Sequence, residues 1–204
     1  MACGEWLMAS GLSFAYDGKI VLQNLNFTIK EGDFFGITGA NGSGKSTLLK
    51  GILGLKKSCG GELVVAQRNF GYLAQKHPMH KYFPASVSEV IMSGLLFKKG
   101  INPFFNKNDR NAAQEKMALF GIEHLAKRRF GELSGGEQQR TLLARALCVS
   151  DKLVLDEPAS SLDENSQEKL FDIIKQLHKN GATIIMVSHK VDFIRENANV
   201  SLAL

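Results

Sequence analysis

The stretch Gly39-Ala40-Asn41-Gly42-Ser43-Gly44-Lys45-Ser46-Thr47 fits G-x-x-x-x-G-K-S/T, the composition of a loop that wraps phosphate. Glycines permit positive-φ turns that aim successive backbone N–H groups inward, where they meet an anion. In such a loop Lys45 can bridge the β- and γ-phosphates of a nucleotide, and the Ser46 hydroxyl suits Mg²⁺. A metal-bound triphosphate also needs a carboxylate at the end of a nearby strand. Leu153-Val154-Leu155-Asp156-Glu157-Pro158 supplies one: Asp156 for the Mg²⁺ shell, and Glu157, one residue on, to polarise a water for in-line attack on the γ-phosphate.

A second glycine-rich helix start lies far downstream, at Leu133-Ser134-Gly135-Gly136-Glu137-Gln138-Gln139-Arg140. Its backbone N–H groups can also hold an anion, which one phosphate loop alone does not require. Two further side chains have open readings. His189 follows an apolar strand, and it either touches the γ-phosphate or its water, or is a surface residue. Tyr16, in Phe14-Ala15-Tyr16-Asp17-Gly18, either stacks on adenine or packs in a hairpin.

These residues need rigid elements to place them. Phe34-Phe35-Gly36-Ile37-Thr38 reads as a short apolar strand feeding the phosphate loop, and a helix starts near Lys45 and runs through Leu48, Leu49 and Ile52. Alternation in Leu25-Asn26-Phe27-Thr28-Ile29 predicts a half-buried strand closed by Glu31-Gly32-Asp33. Strand-like pieces recur at 63–65, 70–73, 152–155 and 182–187. Residues 86–147 read as mostly helical, with a loop at Gly100-Ile101-Asn102-Pro103. Leu170, Ile173, Ile174 and Leu177 share one helical face. Apolar strands alternating with helices imply an α/β fold with a parallel sheet covered on both faces.

The 204 residues, 44% hydrophobic and 22% charged with 20 glycines and 4 prolines, suit one domain without low-complexity tracts. The net charge of +5 comes with only short basic clusters, Lys98-Lys99 and Lys127-Arg128-Arg129, so a solvated basic face is expected and no nucleic-acid partner. Cys3, Cys59 and Cys148 lack the spacing of a zinc site or disulfide framework, and a reducing compartment is expected. Apolar runs fall short of a membrane span, and neither a signal peptide nor lipidation at Cys3 is expected. His77-Pro78-Met79-His80 has two histidines without a third ligand and reads as a solvated loop.

Taken together, these motifs resemble the nucleotide-binding subunit of an ATP-binding cassette (ABC) transporter, and LSGGEQQR matches that family's signature without a mismatch. Tyr16, the phosphate loop, Gln75, the signature, Asp156-Glu157, Ser161-Leu162-Asp163 and His189 follow in the family's order. The resemblance implies a P-loop NTPase (RecA-like) core with a mainly parallel sheet, an N-terminal antiparallel β subdomain, and a helical subdomain inserted at about 78–135 of a single domain, 1–204. It implies ATP and Mg²⁺ as ligands. Gly39, Asn41, Gly42, Ser43, Gly44, Lys45, Ser46 and Thr47 would bind nucleotide with Tyr16; Ser46, Gln75 and Asp156 would serve Mg²⁺; Glu157, His189 and Gln75 would form the catalytic set. Ser134, Gly135, Gly136 and Asp163 would complete the site of a second copy, giving a head-to-tail pair.

The resemblance also implies partners: integral membrane permease subunits at the cytoplasmic face, and a solute-binding protein in the full system. Phe70-Gly71-Tyr72-Leu73-Ala74-Gln75 and Phe83-Pro84-Ala85-Ser86-Val87-Ser88-Glu89-Val90 are similar to cassettes of zinc and manganese importers. Importers of iron chelates or cobalamin, and soluble cassettes of iron–sulfur assembly, are the alternatives. Three departures stand out: Ala74 where many relatives have proline, Lys190 where an acid is common, and a shortened path from Ala144-Arg145-Ala146-Leu147 to Asp156. The sequence stops at Leu204, in the first of the expected closing strands.

Overall fold

Asp17 and Gly18 form a two-residue turn with φ of 48° and 77°, the sign pattern of the hairpin turns that match strand twist. The turn joins β1 (Glu5–Tyr16) to β2 (Lys19–Lys30) in the computed structural model, which describes residues 4–75, 83–99 and 104–204. β4 (Gly60–Val65) pairs with the other edge of β1, closing an antiparallel sheet in the order β2-β1-β4. The expected strand at 25–29 is the second half of β2. β1 itself escapes a period-2 reading because its register shifts repeatedly. Gly11 (φ 59°) and Asn24 (φ 51°) mark one such irregularity, and the Gly11 N–H donates to Asn26 Oδ1 at 2.8 Å.

Two compact units make up the chain, the first comprising residues 1–68, 154–157 and 181–204. Its second sheet is built on β3 (Phe34–Thr38), flanked in parallel by β7 (Thr183–Val187) and β8 (Val200–Ala203), with β6 (Lys152–Asp156) beyond β7. Every residue of β7 is buried, and Phe34, Phe35 and Ile37 are fully so. Such all-apolar strands belong to a sheet covered on both faces. α1 (Lys45–Ile52) follows β3, and α7 (Val191–Asn197) sets Phe193 edge-on to Phe34, 6.2 Å between centroids. At seven residues α7 is too short to show helical periodicity in sequence.

The second unit comprises residues 69–153 and 158–180. In it β5 (Gly71–Leu73) runs next to the first residues of β6, and the rest is helical: α2 (Val87–Ser93), α3 (Leu96–Lys99), α4 (Lys107–Leu119), α5 (Gly135–Val149) and α6 (Glu164–Lys179). Three of these helices start in full capping boxes, Ser86 with Glu89, Asn106 with Asp109 and Ser134 with Glu137. α6 buries Leu170, Phe171, Ile174 and Leu177, close to the predicted face, with Ile173 half-buried at its edge. Residues 77–80 and 100–103, with their expected loops, lie outside the described residues, as does Cys3. No helix among the described residues is long and apolar enough to cross a membrane.

Candidate nucleotide site

In the first unit the phosphate loop runs from the end of β3 to α1, as its spacing predicts. Gly44 is the N-cap of α1 at φ 101°, and a side chain there would meet Leu22 Cδ2 at 2.6 Å. Only glycine satisfies both conditions. Lys45 is 6% exposed, and its Nζ donates to the Gly39 and Ala40 carbonyls at 2.8 and 2.7 Å. The ammonium is thus folded back across its own loop. Ser43 Oγ is buried without a hydrogen-bond partner. A buried unsatisfied hydroxyl is costly, and beside a lysine that can exchange carbonyls for phosphate it fits an incoming anion. Ser46, Asn41 and Gly42 are exposed, and Thr47 is buried in α1.

β6 delivers the acidic pair to the same unit. Asp156 is 8% exposed, and its carboxyl titrates above the usual range, mainly through burial and further through the neighbouring Glu157 charge, with Lys45 pulling the other way. Among the described residues no side chain donates a hydrogen bond to it. A buried acid short of counter-charge suits a divalent cation. Because its folded-state pKa is raised, Asp156 favours folding most in acid and loses that contribution as pH rises through its titration. Asp156→Asn is therefore expected to melt roughly 2–4 °C above the parent at neutral pH, converge with it in acid, and fail to hydrolyse ATP. Thermal melts across pH check this; a lower melting temperature at neutral pH would contradict it.

Glu157 takes φ 48°, rare for a residue with a side chain, while its N–H donates to the Val187 carbonyl of β7 at 3.0 Å. This left-handed step turns the side chain away from the strand's alternation. Its Oε1 lies 2.8 Å from His189 Nε2, so the strand ends of β6 and β7 bring the acid and the histidine together. Glu157 is 12% exposed and His189 47%. Strain held at such a point is a recurrent mark of functional geometry. Tyr16 closes the β1–β2 hairpin opposite Lys19, 41% exposed, with Lys56 Nζ 3.5 Å from its ring centroid. The hairpin reading of Tyr16 therefore holds, and its exposed ring keeps the stacking reading open.

The second unit holds Gln75, exposed after β5, together with the signature segment and Asp163. Ser134 is the N-cap of α5: its hydroxyl accepts from the Glu137 N–H and donates to Glu137 Oε2 at 2.8 Å. Asp163 caps α6, accepting from the Ser166 N–H at 3.0 Å, and hydrogen bonding from the Ser166 hydroxyl, then from its N–H, holds the carboxyl below the usual range. Sequence separates the two helix starts by almost thirty positions; the fold brings them together. A side chain at Gly136 would come within 2.8 Å of Ser166 Oγ, and one at Gly135 within 3.5 Å of Leu162. Gln139 was not singled out by its sequence context, yet its Nε2 donates to the Pro158 carbonyl at 2.6 Å, tying α5 to the turn after Glu157.

Residues 22–160 match the family model described as ABC transporter. The zinc uptake system ATP-binding protein ZurA of Listeria innocua is 35% identical over 94% of this chain and 79% of that protein. The manganese transport system ATP-binding protein MntB of Bacillus subtilis is 34% identical over 87% and 74%. Among solved structures, an ABC transporter in an inward-facing conformation superposes with a TM-score of 0.88 at 32% identity, over 98% of this chain and 79% of that one. The dimeric post-hydrolysis state of the cassette MJ0796, bound to ADP and Pi, gives 0.82 at 27% identity, over 97% and 94%.

Proposed function

The chain belongs to the ABC transporter family, and from that premise we propose that it drives the import of a divalent metal ion, zinc or manganese, through integral membrane permease subunits. It is an ATPase of the cassette type. The observation that carries the metal reading is the likeness to zinc and manganese transport ATP-binding proteins over most of the chain. The exposed apolar side chains Leu96, Phe97 and Phe104, 42%, 64% and 80% exposed, support a protein partner on the second unit. In this reading the chain sits peripherally at the cytoplasmic face, and a solute-binding protein completes the system.

Two copies pair head to tail. Each holds ATP on Gly39, Asn41, Gly42, Ser43, Gly44, Lys45, Ser46 and Thr47, with adenine against Tyr16. Lys45 exchanges its carbonyl partners for phosphate oxygens. Ser46 and Asp156 of the first unit would hold Mg²⁺, whose charge would offset that of the phosphates. Ser134, Gly135 and Gly136 of the second copy close on the γ-phosphate, with Asp163 beside them across the pair. Glu157 accepts the proton of the attacking water, and His189 keeps the carboxylate oriented through Nε2. Closure moves the permease, and hydrolysis lets the pair part.

Deletion of the gene is expected to make growth dependent on added zinc or manganese, and the tagged chain to co-purify from detergent extracts with a multi-spanning membrane protein. Growth rescued by an iron chelate or cobalamin and by neither metal would overturn the metal reading. Recovery of the chain without any membrane protein would overturn the transporter reading.

A further inference from the structure

Away from the phosphate loop, the first unit carries a cavity of about 590 Å³ whose floor includes Phe14, Leu53 and Leu63 and whose wall includes Lys56, Lys57 and Arg68. Among the described residues no acid lines it and no carboxylate pairs with any of the three cations. Like charges gathered around a concave surface raise the local concentration of anions, and among the described residues no counter-charge sits beside these three. The size suits a small metabolite. Arg68 is exposed, with its Nη1 2.7 Å from the place a Gly54 side chain would occupy, which puts the guanidinium close to that turn. The end of α1 faces this region. Its carbonyls, which would repel an anion, are partly taken up, Lys50 O by the N–H groups of Leu55 and Lys56 at 2.8 and 3.1 Å and Gly51 O by that of Gly54 at 2.9 Å.

Lys56 belongs to two places at once. It lines the cavity, and it is the cation held over the ring of Tyr16. We propose that the cavity binds a small organic phosphate, and that its occupation draws Lys56 off the Tyr16 ring and so strengthens ATP binding. The apolar floor takes the carbon skeleton, and Lys57, Arg68 and Lys56 take the phosphate. A phosphate dianion binds an ammonium through charge-assisted hydrogen bonds, which outcompete an exposed contact with a ring face. The freed face is then available to adenine. Only this coupling rests on the adenine-stacking reading of Tyr16; the binding step stands without it.

Titration of the full chain with ribose 5-phosphate by calorimetry tests the site. Binding is expected in the parent and in Lys45→Ala, and about tenfold weaker in the Lys57→Ala/Arg68→Ala variant. Absence of binding, or binding that disappears in Lys45→Ala and survives in the double variant, overturns the proposal, since phosphate would then be held by the loop. For the coupling, ATP affinity should rise about two- to fivefold with millimolar ribose 5-phosphate, and Lys56→Met should show the raised affinity without it. An ATP affinity unmoved in both overturns the coupling. Tyr16→Ala separates the two layers: unchanged ATP affinity in that variant refutes adenine stacking while leaving the calorimetric result on the cavity to decide the site.

Discussion

Glu157→Gln is expected to lower the rate of ATP hydrolysis by about 10²–10⁴-fold while leaving ATP binding intact. Glutamine has the shape of glutamate and meets the same backbone constraint at φ 48°. Its amide oxygen can still accept from His189 Nε2, where the carboxylate now sits at 2.8 Å. What it lacks is the ability to take a proton from water. The variant thus separates positioning from proton transfer. Bound ATP that is not hydrolysed should hold the pair of chains closed, so size-exclusion chromatography with ATP is expected to show a dimer that the parent does not retain. A variant that turns over at the parental rate would remove Glu157 from the role of base. The companion substitution His189→Ala would then show whether the histidine orients that carboxylate or acts by itself.

Ser134→Ala is expected to abolish hydrolysis by the proposed pair while the single chain still binds ATP. The complication is that Ser134 already works as a helix cap, and losing an N-cap serine costs about 1 kcal/mol on its own account. The fold offers its own control. Ser86 starts α2 in the same capping box, with its hydroxyl 2.7 Å from Glu89 Oε2, against 2.8 Å between Ser134 and Glu137. Ser86→Ala should therefore lower the melting temperature by a similar amount, roughly 2–4 °C, yet keep its ATPase activity. Equal loss of activity in both variants would reduce Ser134 to a structural cap. Loss confined to Ser134→Ala, with nucleotide affinity of the isolated chain unchanged, places its hydroxyl in the closed site.

Much of the candidate site is legible in the sequence because its parts are contiguous strings. A phosphate loop is nine neighbouring residues between a strand and a helix, and an acidic pair at the end of an apolar strand needs no tertiary knowledge to recognise. The S-x-x-E spacing of Ser134 and Glu137 is likewise a visible capping signal, although the glycines beside it invite only the anion reading. What the strings do not carry is who meets whom. The return of Lys45 onto the Gly39 and Ala40 carbonyls depends on the conformation of the loop, and the bond of His189 to Glu157 and the place of Lys56 over Tyr16 on packing between distant segments. β1 escapes for a different reason: bulges break the alternation on which strand reading depends, so a twelve-residue strand looks like none.

The bond from Gln139 to the Pro158 carbonyl gives the chain a mechanical property. Gln139 sits in the second turn of α5, and Pro158 is covalently next to Glu157. Proline fixes its own φ, which removes one of the two soft dihedrals of the residue that carries this carbonyl. Movement of α5 therefore acts first on the turn that follows Glu157, held there by one short hydrogen bond from its second helical turn.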